Sequence, residues 1–154
     1  MCLWVFIKLL HNNGSYAIIM NMENIDIKEI CQLDEEIYSC ISEKIDTNKV
    51  VITNKQFEHI VEKHPDAYDK VLIKLQNTIL DPDYIIRDEK HADTGFVIRK
   101  IDSDATDELN NFIILKVCTD SNGGLLANSV ISGWIISKKR LANYLRNKQI
   151  LYKR

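Results

Sequence analysis

No C-x-x-C pair, no glycine-rich phosphate loop, no Ser-His-Asp spacing and no apolar run of membrane length occurs in this chain. Each absence excludes something. The four cysteines, Cys2, Cys31, Cys40 and Cys118, form no paired framework, so free thiols in a reducing cytosol are the simplest account. A zinc site needs thiolates or imidazoles at short spacing, and Cys31 and Cys40 are too far apart to suggest one. The longest apolar start, Met1 to Leu10, is interrupted by Lys8. A membrane helix needs roughly 20 apolar residues, and the basic start and small-residue cleavage site of a secretory signal are missing too. A cytoplasmic protein without a membrane partner is therefore expected. There is no repeat, low-complexity tract or linker.

A global basic signature is also absent, since the formal net charge is −2. The charge is uneven, however. Residues 1–50 hold four Lys/Arg against eight Asp/Glu, and residues 84–154 hold twelve against eight. The last eighteen residues carry seven cations and no acid, a tail that can attract a polyanion locally or simply solvate a helix end.

What is present is an ordinary globular composition, 45% hydrophobic and 27% charged over 154 residues. That is long enough for one domain with a real core. Residues 1–22 read as a peripheral segment, with a short hairpin within 3–20, and residues 23–154 as the single working domain. Ile30, Leu33, Ile37, Ile41 and Ile45 recur at helical spacing and predict an amphipathic helix within 24–45. Val50 to Ile52 is a short strand. Thr53 and Gln56 form a capping box for a helix that buries Phe57, Ile60 and Val61. Pro65 breaks it, because the residue before proline avoids helical dihedrals. A second helix with Tyr68, Val71, Leu72, Leu75 and Ile79 on its core face ends at Asp81-Pro82-Asp83. From Tyr84 the period changes to alternation, predicting strands at 84–87, 95–101, 111–119 and 128–136. A helix over 138–147 and an edge strand at 150–152 close the chain. The expected fold is α+β: N-terminal helices packed on a four-stranded antiparallel sheet, with a C-terminal helix.

His59 and His64, two of four histidines, are the side chains best suited to moving protons near neutral pH. On a continuous helix they would lie about 140° apart, so they converge only if the helix ends near Lys63. His91 lies in a polar loop and reads as incidental.

The run His59-Ile60-x-x-Lys63-His64-Pro65 resembles a motif of the phage-encoded branch of the barnase–EndoU–colicin–RelE-like nucleases. So do Asp81-Pro82-Asp83-Tyr84-Ile85, the strand Asn111 to Lys116, Asn128 to Ser132 with Trp134, and the Leu151-Tyr152-Lys153 ending. The resemblance covers about residues 50–153. It implies helices on a four-stranded antiparallel sheet and metal-independent, cofactor-free RNA cleavage in which the ribose 2′-hydroxyl is the nucleophile. Phages, mobile elements and toxin-like settings follow from it, with RNA as substrate and room for a protein inhibitor as partner. On this resemblance His59 and His64 are the acid–base candidates. Ser132 and Ser129 match the family's strand hydroxyls, and Ser132 is favoured as catalytic. Three apart on a strand, the two serines face opposite sides unless a bulge intervenes. Lys116 and Lys100, cations on largely apolar strand faces, are candidates for holding phosphate. The blander readings are a core histidine for His64, a surface helix residue for His59, and ordinary strand hydroxyls. The loop Asp120 to Leu126 is glycine-rich and supplies no cation to an RNA path. Two other functions compete: a non-catalytic RNA- or protein-binding module on the same fold, and a metal hydrolase using His59, His64 and Asp66.

Overall fold

The computed structural model describes residues 9–12, 15–18, 27–65, 68–101, 108–119 and 126–154. Strands β1 (Leu9–Asn12) and β2 (Ser15–Ile18) pair antiparallel as a two-stranded sheet. The domain itself is built on a seven-stranded sheet. Its members are β3 (Ile27–Gln32), β4 (Lys49–Thr53), β5 (Tyr84–Arg87), β6 (Thr94–Ile101), β7 (Leu109–Lys116), β8 (Asn128–Ser137) and β9 (Ile150–Lys153). Their spatial order is β3-β4-β8-β7-β6-β5-β9. Every neighbouring pair is antiparallel except β4 with β8, which run parallel through Val50–Asn128 and Val51–Ser129. Among the described residues there are five helices: α1 (Glu35–Tyr38), α2 (Asn54–Lys63), α3 (Tyr68–Ile73), α4 (Leu75–Leu80) and α5 (Lys138–Asn147).

This overturns the expected four-stranded antiparallel sheet under N-terminal helices. The sheet is mixed and nearly twice as wide, because β3, β4 and β9 extend both sides of the β5–β8 meander. The helix expected within 24–45 is also absent. Residues 27–32 instead pair with β4, with a bulge between Glu29 and Cys31, and only Glu35–Tyr38 is helical. The apolar stripe did mark the core: Leu33 and Ile41 are buried, and Ile30, Ile37 and Ile45 pack against the same cluster. Burial was legible there, but the backbone state was decided by strand partners more than fifteen residues away, from Gln32 with Lys49 to Ile27 with Thr53. The expected helix after Pro65 is likewise divided at Lys74 into α3 and α4.

Side chains alternate between two faces of the sheet. One face carries Ile85, Val97, Ile113, Leu115 and Val130, and packs on Tyr38, Ile60, Val71, Leu75 and Ile79 from the first four helices and their flanks. The Tyr38 hydroxyl, fully buried there, donates to the Ile79 carbonyl at 2.7 Å. The opposite face carries Ile86, Ile98, Phe112 and Ile136, covered by Leu141, Tyr144 and Leu145 of α5. Helix α5 covers only part of that face, and the uncovered part is where the polar side chains gather.

Candidate functional site

Cross-strand pairing turns the α5 face into rows. Tyr84, Ile98, Phe112 and Trp134 form one row, and Ile86, Phe96, Ile114 and Ser132 the next. The third contains Thr94, Lys116 and Ser129. The step from Ser132 to Ser129 skips a residue because the register shifts between Ile114 and Leu115, leaving Ile131 as the extra residue of a bulge. That bulge puts both serines on the face that also presents Lys116. Paired side chains across neighbouring strands have Cβ atoms roughly 4.5–5.5 Å apart, so Lys116 stands between two hydroxyls, Thr94 and Ser129.

Lys116 is exposed, although it ends a strand that is otherwise largely buried. It makes no ion pair to another described residue, and Ser129 and Ser132 make no side-chain hydrogen bond to one. Lys100 differs: it lies at the far end of the same face, paired with Asn110, and its amine is 3.6 Å from the Glu108 carboxylate, which also holds Lys138 at 3.3 Å. The structure therefore does not bring Lys100 to the serines.

The capping box starts α2 as expected: the Gln56 amide donates to the Thr53 hydroxyl and the Thr53 amide to the Gln56 side chain. The helix stops at Lys63, and His64 caps it in a non-helical conformation, φ −135° and ψ 59°. This turn takes the half-buried His64 ring onto Trp134, with ring centroids 5.7 Å apart. Trp134 in turn stacks on Phe112 at 4.8 Å. His64 thus borders the open face two strand positions from Ser132. His59 remains on the exposed side of α2, away from the stripe that carries Ile60 into the core, and no contact links it to the serine and lysine row. Asp66, the third member of the metal alternative, lies outside the described residues, as does most of the loop from Asp120. Among the described residues no cluster of three His, Cys, Asp or Glu side chains could hold a metal ion. No described helix is long and apolar enough to cross a membrane. Cys31 offers no ready nucleophile, since burial and then the Glu29 charge push its thiol up to about 11.

One group that sequence reading passed over belongs to this face. The Asp88 amide donates to the Thr94 carbonyl at 3.3 Å, extending the β5–β6 ladder one step beyond Arg87. Alternation then places the buried Asp88 in line with Thr94, Lys116 and Ser129. Its carboxylate meets His91 Nδ1 at 2.8 Å. A carboxylate only accepts, so Nδ1 carries the proton and Nε2 is left available on a ring that is 69% exposed. The loop is pinned beside the end of β7, where the Val117 amide and the Thr119 hydroxyl both donate to Asp93. Lys148, just after α5, holds Glu89 at 3.1 Å. The signal was the spacing Asp88-x-x-His91 in a turn, which sequence reading treated as a polar loop.

Burial works to raise the Asp88 pKa, but the His91 hydrogen bond and the Lys90 amide outweigh it and hold the carboxyl below its ordinary value of 3.8. A depressed folded-state pKa means that the unfolded chain binds more protons in acid. The stabilisation from Asp88 is therefore complete above pH 3.8 and lost as pH falls through the lower folded value. Urea melts of the protein and of Asp88→Asn should show a stability gap at neutral pH that closes in acid. A gap of equal size at both ends would contradict the assignment.

The model of a family described as phage-Barnase-EndoU-ColicinE5/D-RelE like nuclease2 matches residues 27–153. No curated protein and no solved structure matches the chain.

Proposed function

The chain belongs to the phage-Barnase-EndoU-ColicinE5/D-RelE like nuclease2 family, and we propose that it is an endoribonuclease working without metal or cofactor on the open half of the α5 face. The observation that carries this reading is the row Thr94-Lys116-Ser129, with Ser132 brought to the same face by the bulge. It is a hydroxyl-lined patch with one exposed lysine, bordered by two imidazoles.

In the proposed reaction the ribose 2′-oxygen forms a bond to phosphorus while the bond from phosphorus to the 5′-oxygen breaks. A base takes the 2′-hydroxyl proton and an acid gives a proton to the departing 5′-oxygen. His64 fills one of these roles and a water molecule the other, because strand pairing sets His91 three strands away, at the opposite border of the patch. His59 lies on the exposed side of α2 and is not assigned a role. The Asp88 carboxylate holds the His91 ring in one tautomer, leaving Nε2 to meet the RNA strand. Lys116 carries the charge that builds on the phosphorane oxygens, and the Ser132 and Ser129 hydroxyls donate to them. A nuclease that acts this way leaves a 2′,3′-cyclic phosphate and a 5′-hydroxyl. A toxin of a phage or mobile element, restrained by a protein inhibitor, is the biological setting we propose for it.

Total RNA incubated with the protein in excess chelator should be cut, and the fragments should carry cyclic phosphate ends. Activity lost in chelator and restored by a divalent ion would contradict the mechanism.

A further inference from the structure

Trp134 takes no part in the chemistry proposed for the patch, yet its ring is the one that meets His64. It is half-buried and pairs with Phe112 across β7 and β8. The two rings stack, with centroids 4.8 Å apart and planes inclined by 26°. Phe112 is 1% exposed. Its ring lies 5.1 Å from Phe96 on β6 and 5.1 Å from Tyr144 on α5. Aromatic pairs at such separations favour particular relative orientations and stabilise beyond simple burial. The indole plane is therefore set by the sheet and by α5.

His64 meets this anchored ring at 5.7 Å between centroids, with planes inclined by 31°. β4 lies on the opposite side of β8 from β7, and after Thr53 it turns into α2, which His64 caps. The backbone of that cap is fixed by the bond from its amide to the Ile60 carbonyl. That bond does not fix the imidazole plane. The last torsion of a histidine joins a tetrahedral to a planar carbon, and its wells are broad and roughly two-fold. A flat, anchored neighbour narrows them. Rotation about this torsion moves both ring nitrogens, and only a nitrogen within hydrogen-bond reach of the reacting oxygen transfers a proton.

We propose that Trp134 is a positioning residue: its ring sets the plane of the His64 imidazole and so presents one nitrogen to the scissile phosphate. This role rests on the part proposed for His64 in cleavage.

Misplacing a catalytic group by about 1 Å can cost about 10² in rate. Trp134→Leu keeps an apolar side chain without a flat face. It should lower kcat by about 10 to 10² and change KM by less than about twofold. Trp134→Phe keeps a flat face and should retain most of the rate. In a protein already carrying His64→Ala, Trp134→Leu should cost less than about twofold, because losses transmitted through one residue do not add. Ring-carbon NMR relaxation reads the orientation without RNA. The His64 signal, identified by its loss in His64→Ala, should report an ordered ring in the native protein and in Trp134→Phe. In Trp134→Leu it should approach the mobility of the exposed His59 ring. Should Trp134→Leu fail to fold, Trp134→Met, which fills irregular space flexibly, carries the same comparisons.

A His64 ring that stays ordered in Trp134→Leu overturns the proposal. So does an undiminished loss of rate from Trp134→Leu in the His64→Ala background. A native protein that cuts no RNA, but whose His64 ring loses order in Trp134→Leu, refutes the nuclease reading and leaves the orienting role standing. Cleavage that depends on His64 and not on Trp134 refutes only the role of Trp134.

Discussion

His64→Ala should lower RNA cleavage by about 10²–10⁴, the usual loss when a general acid or base is removed, while the protein stays folded. The expectation of intact folding comes from how His64 is held. Its backbone amide donates to the Ile60 carbonyl at 2.9 Å and would do so with any side chain. Its ring is only half-buried, beside Trp134 at 5.7 Å between centroids. A histidine serving only the core would behave otherwise: its removal would lower the melting temperature and leave turnover per folded molecule unchanged. His59→Ala provides the internal comparison, because the exposed face of α2 predicts little change in either quantity. Equal losses from the two variants would restore the simpler reading of the paired-histidine motif.

Lys116→Ala should cost about 10²–10³ in cleavage, the scale seen when one donor to a developing oxyanion is lost. Burial does not account for a lysine here. Phe112, Ile113 and Leu115 on the same strand are buried, yet Lys116 is exposed and makes no ion pair to a described residue. Stability should hardly change, so melting temperature and rate separate cleanly. Lys116→Arg keeps the charge while changing its reach, and should retain more activity than the alanine variant. A Lys116→Ala protein with full activity would leave the non-catalytic RNA- or protein-binding module as the better account of this face.

The two ends of α2 were legible from the sequence because both signals are local: Thr53 and Gln56 cap it, and Pro65 follows its stop. Alternation located the strands from Tyr84 onward for the same reason. The width of the sheet was not legible. Ile30, Leu33, Ile37, Ile41 and Ile45 keep helical spacing, yet Ile27–Gln32 is a strand, because pairing with β4 outweighs a weak local preference. In the proposed site, the resemblance singles out Ser129 and Ser132, and an apolar strand singles out Lys116, but alternation puts the serines on opposite faces unless a bulge intervenes. The bulge that reunites them arises from the register of β8 against β7, a tertiary property. His91 reads as incidental in the sequence because its partner, Asp88, gains its place only from the β5–β6 ladder and the Thr94 carbonyl.

The claim on which all of this rests is that the ribose 2′-hydroxyl attacks on the Lys116 face. Single-turnover cleavage of one short RNA, compared with the same strand carrying a single 2′-O-methyl group at the cut position, tests it most directly when both are run in excess chelator. The account predicts that the ordinary strand is cut to a cyclic phosphate end and that the methylated strand survives at that position. Cleavage of the methylated strand at the same bond and a similar rate would contradict it.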